Sequence, residues 1–568
     1  MSASDDRTPL LAVDTSSSPA IGTQDAVDDN IENSKRSTGF KFAIVFACIL
    51  LGDFFVGYDT SCVATLTPVI TAEFHAIDNM GWYGIAYVLA MASTVLTFGQ
   101  LYNMYPMKAI FLASFATFAL GSAISATAAS SLMFIVGRAV SGLGGSGIFA
   151  GGTIIVAHTT PLKYRPIFQS LSGGMECIAL ALGPIASGVI EGWSSWRVAF
   201  AVIVPVCVIN IIAIGLLVDN LPKPEDSTLS TLQKFRTLDL AGFITFMPGI
   251  IVLIMALQFG GVTIEWSDWR MTILLLTSAV LAVVFFTVQW QAGSKGMFPL
   301  GLLKDRTVAL GAITQFSVSA SLFVIGFYLP LYFQTLLLAF PLQSSLLYLP
   351  TAVSFAISIL LAGPLVTRIG YYTPVSALGS LLLTLGSLHI VRTLVYPAPM
   401  AIEGYSWIIA QALFGTGAGL VFGQAYTAVQ VVLAARPDDV TTALVVLSFC
   451  QELGGIAALA VCQNVFLSRL STRLEKIVPG VETKQIMDAG REGWEGLVPE
   501  ALVQEVLGAY GETLTEVFWV GVVAALGTWA ALGGVWGSVR EEITHSKEAD
   551  EETSPALAFD EDAAQRSR

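Results

Sequence analysis

Five ionisable side chains sit where charge is expensive: Asp53, Asp59, Arg138, Glu176 and Glu452 each lie inside a long apolar run. An intramembrane charge faces a water-filled cavity or finds a partner. A carboxyl reached by water from alternate sides can bind a proton and release it, which couples proton movement to that of a second solute. Asp59 stands nine residues before Pro68 in "YDTSCVATLTP". At ~1.5 Å per residue it lies well inside its helix. It reads as a proton or substrate group lining a cavity; the alternative is a structural hydrogen bond to a neighbouring helix. Asp53, six residues earlier, points about 120° away from it and reads as structural. Aligning "SGGMECIALALGP" with "LSFCQELGGIAAL" sets Ser172 on Ser448 and Glu176 on Glu452. This predicts two cavity-facing acids that bind protons or a cationic substrate. In the alternative reading, Ser, Gln or backbone groups satisfy each one separately. Arg138 is the one Arg well inside a first-half span; from the residues alone it can snorkel to one face.

The elements that hold these residues follow from composition. The 568-residue chain is 54% hydrophobic and 12% charged, with a mean hydropathy of +0.71, against roughly 25% charged in soluble domains. Apolar runs at about 42–70, 81–101, 109–129, 131–158, 166–190, 196–218, 239–259, 271–291, 308–335, 343–366, 372–394, 404–434, 441–467 and 514–537 can each cross a ~30 Å hydrocarbon core as a helix. They are spans 1 to 14 below. The fold class is therefore all-α, a polytopic membrane protein. Lys and Arg concentrate in alternate connections, including Lys108, Lys163, Arg165, Lys304, Arg306, Arg368 and Arg436. An even span count with both termini in the cytosol fits that bias. The expected tails are 1–41, disordered, and 538–568, acidic; together they supply more than half of the net charge of −14. A long outer segment, about 468–513, reads as one amphipathic surface helix. Trp82, Tyr83 and Tyr87 read as interfacial anchors, with outer-cavity lining as the alternative.

The chain also resembles itself. "GRAVSGLGGSGIFAGG" in span 4 aligns with "AQALFGTGAGLVFGQA" in span 12, which pairs Gly142 with Gly415, Gly144 with Gly417 and Arg138 with Gln411. The loop from Gly99, "GQLYNMYPMK", aligns with "GPLVTRIGYY" from Gly363. Two six-helix halves, 42–218 and 308–537, joined by a linker with two inserted helices at 219–307, fit these spacings.

These motifs carry a family resemblance. "YDTSCVATLTP" in span 1, "DNMGWYGIAYVL" from Asp78, "GRAVSGLG", "GPIASG" (Gly183, Pro184 to Gly188) and "WSSWRVAF" occur in order. The chain resembles the major facilitator superfamily, its fourteen-span drug:proton antiporter branch, and within that the fungal efflux pumps for toxins and secondary metabolites. The resemblance implies a proton-coupled exporter of a lipophilic or amphipathic molecule working by alternating access. It places Asp59 and Arg138 at the coupling and substrate cavity; the internal repeat adds Gln411, the counterpart of Arg138, and Glu176 and Glu452, positions where related family members often carry an apolar or amide residue. Gly99, Asn103, Gly142, Gly183, Pro184, Gly188, Gly363 and Arg368 are placed in gating and helix packing, with "GPIASG" as a hinge or seal between the halves. Asn103 stands where that family usually carries Asp, so the charged gate contact is not carried over.

Other classes find no support in these residues. No Walker lysine follows a glycine loop, no catalytic Ser/His/Asp set or metal cluster appears, and no basic patch suggests nucleic acid. The six cysteines all lie in apolar runs and form no disulfide framework. The expected partners are a small-molecule substrate, protons and the bilayer, with no cofactor, in a monomer at the plasma membrane. "DRTPLL", Asp6 to Leu11, matches a dileucine sorting pattern and leaves a vacuolar or endosomal membrane open. Two other readings share the same spans: a siderophore or nutrient uptake carrier, and a non-transporting sensor.

Overall fold

The computed structural model describes residues 22–76, 79–217, 239–260, 264–293, 296–337, 339, 341–394, 405–434, 436–478 and 498–533. Among them, fourteen helices are long and apolar enough to cross a membrane, as the apolar runs predict. Side-chain hydroxyls and carboxylates start several of them: Ser130 accepts from the Met133 N–H, Asp268 from Arg270 and Asp305 from Thr307. Such caps satisfy amides that have no partner within the helix.

Spans 1 to 6 close around one apolar core and most of spans 9 to 14 around another. The repeat read from the sequence is a packing repeat. A side chain on Gly144 would collide with the Phe118 backbone in span 3, and one on Gly417 with the Leu383 backbone in span 11. Gly142 likewise abuts the Tyr87 carbonyl of span 2, and Gly415 the Thr351 carbonyl of span 10. Each glycine-rich helix is thus wedged between two others of its own half, where only a missing Cβ permits contact. Gly144→Val and Gly417→Val are each expected to lower stability by about 1–3 kcal/mol through overpacking. Thermal unfolding of the detergent-purified variants checks this.

The inserted hairpin, Leu240–Phe259 and Trp269–Ala292, lies against both halves. Phe246 meets Phe449 of span 13 with ring centroids 5.2 Å apart, and Trp82 of span 2 meets Phe259 at 5.7 Å. Gln289 Nε2 donates to the Asp239 carboxylate at 2.6 Å, which ties the two inserted helices together.

Several expectations are corrected. The first helix runs Gly22–Phe74, so 22–41, expected to be disordered, is helical backbone. Once the apolar turns nucleate the helix, each added residue gains a hydrogen bond. Residues 1–21 and 534–568, with the dileucine-like stretch, lie outside the described residues. The outer segment is not one separate surface helix. Span 13 continues to Ile477 and span 14 starts at Val503; 479–497 lies outside the described residues. Charge pairing carries the two extensions: Arg473 binds Glu512 at 3.2 Å and Glu516 at 2.6 Å, and Arg469 binds Glu516 at 3.3 Å. Tyr83 and Tyr87 are fully buried rather than interfacial. Their hydroxyls find partners inside the bundle, in Ser131 and the Val56 carbonyl.

Candidate functional site

Asp59 and Arg138 form a closed pair. Arg138 Nη1 lies 2.7 Å from Asp59 Oδ2, and the two side chains are 1% and 0% exposed. Arg138 Nε donates to the Tyr83 carbonyl at 3.1 Å and Nη2 to the Asp59 carbonyl at 3.1 Å, while its guanidinium stands 4.5 Å from the Tyr87 ring centroid. Neither residue lines a cavity in this arrangement, contrary to the expectation, and Arg138 does not snorkel. The sequence puts one anion and one cation on adjacent helices, and each is the other's cheapest escape from hydrocarbon. Gln411, also expected at the cavity, is buried and joins span 12 to span 10. Its Oε1 accepts from Thr351 Oγ1 at 2.9 Å and its Nε2 donates to the Leu347 carbonyl at 3.0 Å.

Glu176 and Glu452 behave differently. Both are partly exposed, and they stand close enough to act on each other electrostatically, with Asp53 also in reach of Glu176. Glu176 is eleven residues into the helix that begins at Arg165, about 16 Å along it, roughly mid-depth in a ~30 Å core. It lies at the seam between halves. Side chains on Gly173 and Gly174 would meet Ile359 and Leu360 of span 10, and Cys177 packs against the second-half core. Glu452 reaches the same seam from the other side, where its neighbours Cys450 and Leu453 pack on the first-half core.

The seam is closed at the end of the bundle that carries Lys108, Lys163, Arg165, Arg368 and Arg436, called the basic end below. Asn103 Nδ2 donates to Thr442 Oγ1 at 3.1 Å and His158 Nε2 lies 2.8 Å from Thr441 Oγ1. Thr367 Oγ1 donates to the Lys163 carbonyl at 3.2 Å. Gly99 lets Val445 approach, and Gly363 packs on the backbone of Pro166 and Ile167. These contacts all cross between the halves and use neutral groups. Arg368 is an exposed residue in the last turn of its helix. Gly183, Pro184 and Gly188 do not sit between the halves as expected. Ser61 and Thr65 of span 1 donate to the Ala179 and Pro184 carbonyls, and Gly188 faces Thr65. The motif "GPIASG" therefore joins spans 1 and 5 within the first half.

At the opposite end, Trp196 Nε1 and Arg197 Nη1 donate to Glu73 at 2.6 and 3.0 Å. The Arg197 bond first, and then that of Trp196, hold the Glu73 carboxyl below its usual range. This accounts for "WSSWRVAF" at the start of span 6 as a clamp on span 1.

A neutral polar cluster escaped the sequence reading. Gln315 Nε2 donates to Gln451 Oε1 at 2.9 Å, and the Tyr426 hydroxyl lies 3.1 Å from the same oxygen and 3.2 Å from Ser448 Oγ. Tyr426 is within electrostatic reach of Glu176 and Glu452. A search for charges passes over such residues; buried amides within apolar runs were the available signal.

Known proteins place this architecture. The profile of the Major Facilitator Superfamily matches residues 49–459. The chain is 33% identical over 516 residues to the MFS-type efflux pump MFS1 of Arthroderma benhamiae, covering 91% of this chain and 95% of that one. It is 35% identical to the aspyridones efflux protein of Neocamarosporium betae, covering 89% of each. It is 33% identical to the efflux pump aflT of Aspergillus parasiticus, covering 91% of this chain and 99% of that one. Among solved structures, the proton:xylose symporter XylE has a similar fold, with a TM-score of 0.54 at 16% identity, covering 89% of this chain and 99% of that one. Fourteen apolar helices in two packed halves, a seam between them and these likenesses lead to one conclusion: the chain is a multi-pass membrane transporter of the Major Facilitator Superfamily.

Proposed function

We propose that the protein is a proton-coupled exporter of a lipophilic or amphipathic small organic molecule, of the toxin, secondary-metabolite or drug class. One observation carries this reading: two partly exposed acidic residues, Glu176 and Glu452, come from the two halves to within electrostatic reach of each other, beyond a seam closed at the basic end. Rocking the halves about such a site would expose it to alternate sides. Loaded with protons on one side and with substrate on the other, the two acids exchange one for the other. The names of the fungal relatives support export. By the positive-inside rule the basic end faces the cytosol, in a monomer at the plasma membrane.

Reconstituted protein under an imposed pH gradient tests this, with rhodamine 6G and ethidium as probes. Protons entering should drive probe out, faster as the outer pH falls. Glu176→Gln and Glu452→Gln should each slow gradient-driven efflux by about tenfold, equivalent to ~1.4 kcal/mol in the coupling step, and flatten its pH dependence. Unchanged pH profiles in both variants would remove the proton role of these acids, and probe moving with the protons would make the protein an uptake carrier.

A further inference from the structure

Resting on the proton-coupled reading above, we propose that Asp53 carries the coupling proton, held by Ser172 and passed to Glu176. Asp53 is 3% exposed, and its carboxylate accepts a hydrogen bond from Ser172 Oγ of span 5. Among the described residues no Lys or Arg pairs with it. Its other side is closed by span 4, where a side chain on Gly152 would stand 3.5 and 3.9 Å from its two oxygens. A carboxylate buried without a cation is costly, and the usual escape is to bind a proton. Asp59 has the other escape, the Arg138 guanidinium at 2.7 Å.

Ser172 and Glu176 are four residues apart on one helix and so share a face. Asp53, gripped by Ser172, stands within electrostatic reach of Glu176, which is partly exposed. The titratable groups within electrostatic reach of Glu176 are Asp53, Glu452, Cys177 and Tyr426. No cation is among them, and Arg138 is committed to Asp59. The transfer is a simple one. The Asp53 O–H bond breaks, its electron pair stays on Asp53, and the proton joins the Glu176 carboxylate, which later releases it to cavity water.

The internal repeat separates chemistry from architecture. Setting Pro68 on Pro330, the prolines within the helices of spans 1 and 9, places Asp53 on Gln315. Ser172 already aligns with Ser448. The second half therefore places an amide, Gln315 bound to Gln451, where the first half has Asp53, with Ser448 beside Tyr426. An amide meets the packing requirement there, so the acid in the first half answers a different need.

Infrared difference spectra of the full-length protein in nanodiscs, between acid and alkaline buffer, read protonated carboxyls directly. The wild type should show a carboxyl stretch lost on alkalinisation. Asp53→Asn should remove it, Asp53→Glu should restore it, and Ser172→Ala should move its titration midpoint without abolishing it. The Asp59→Asn/Arg138→Gln double variant should leave it in place. In proteoliposomes with rhodamine 6G, Asp53→Asn should slow gradient-driven efflux by about tenfold or more, and Asp53→Glu should recover part of it. A band untouched by Asp53→Asn, or coupling that survives it at the wild-type rate, overturns the assignment to Asp53 and leaves the export reading standing. A wild type that moves no protons with any probe overturns the export reading, and the coupling role of Asp53 with it.

Discussion

Arg138→Gln is expected to lower stability by about 3–5 kcal/mol, because it leaves the Asp59 carboxylate buried with no cation. Asp59 is 0% exposed, so water cannot replace the guanidinium. The same change removes the bond to the Tyr83 carbonyl and the stacking on Tyr87, which together hold span 4 to span 2. Transport should fall with folded yield. The double variant Asp59→Asn/Arg138→Gln should be more stable than Arg138→Gln alone, since it carries no orphaned charge, and the difference measures the coupling between the two residues. Thermal unfolding in detergent, with yield after gel filtration, decides this. A double variant no better than the single would mean that the lost packing of Arg138, rather than the unpaired anion, sets the cost.

The second large effect is a lock. A Cβ on Gly99 would stand 3.1 Å from the Val445 Cβ, a few tenths of an ångström inside the Cβ separation of a disulfide. Gly99→Cys/Val445→Cys is therefore expected to cross-link the halves at the basic end under mild oxidation. If transport requires the halves to part at this seam, the oxidised protein should be inert and recover on reduction. The six native cysteines are free thiols that are buried or partly so, so loss of both introduced thiols reports the bond. Full transport by the cross-linked protein would show that the seam beside Asn103 and Thr442 does not open during the cycle.

The hydrogen bonds described at that seam bear on how it works. Asn103 meets Thr442, and His158 meets Thr441, neighbouring residues at the start of span 13. Neutral hydrogen bonds contribute about 0.5–1.5 kcal/mol each, so contacts of this kind hold a closed state without trapping it.

The sequence alone determined the spans, because hydrocarbon thickness and the cost of an unpaired backbone leave apolar helices as the solution for such runs. It determined the twofold design too, since glycines at 142, 144, 415 and 417 are needed wherever two backbones touch, and such positions recur when a half is duplicated. It also marked Glu176 and Glu452, because an acid at equivalent places in two repeats is visible without coordinates. Tertiary structure decided who partners whom. Asp53 and Asp59 look alike in sequence, two carboxylates in one helix. Yet one meets an arginine 79 residues away in the chain and the other a serine 119 residues away. The same holds for Gly183 and Pro184, whose neighbours on span 1 could not be read from their own spacing, and for Tyr83 and Tyr87, whose rings suit an interface as well as a core. Periodicity and hydropathy report how a helix meets its solvent; the identity of a long-range partner depends on the rotation and depth of two helices, which only the packed bundle sets.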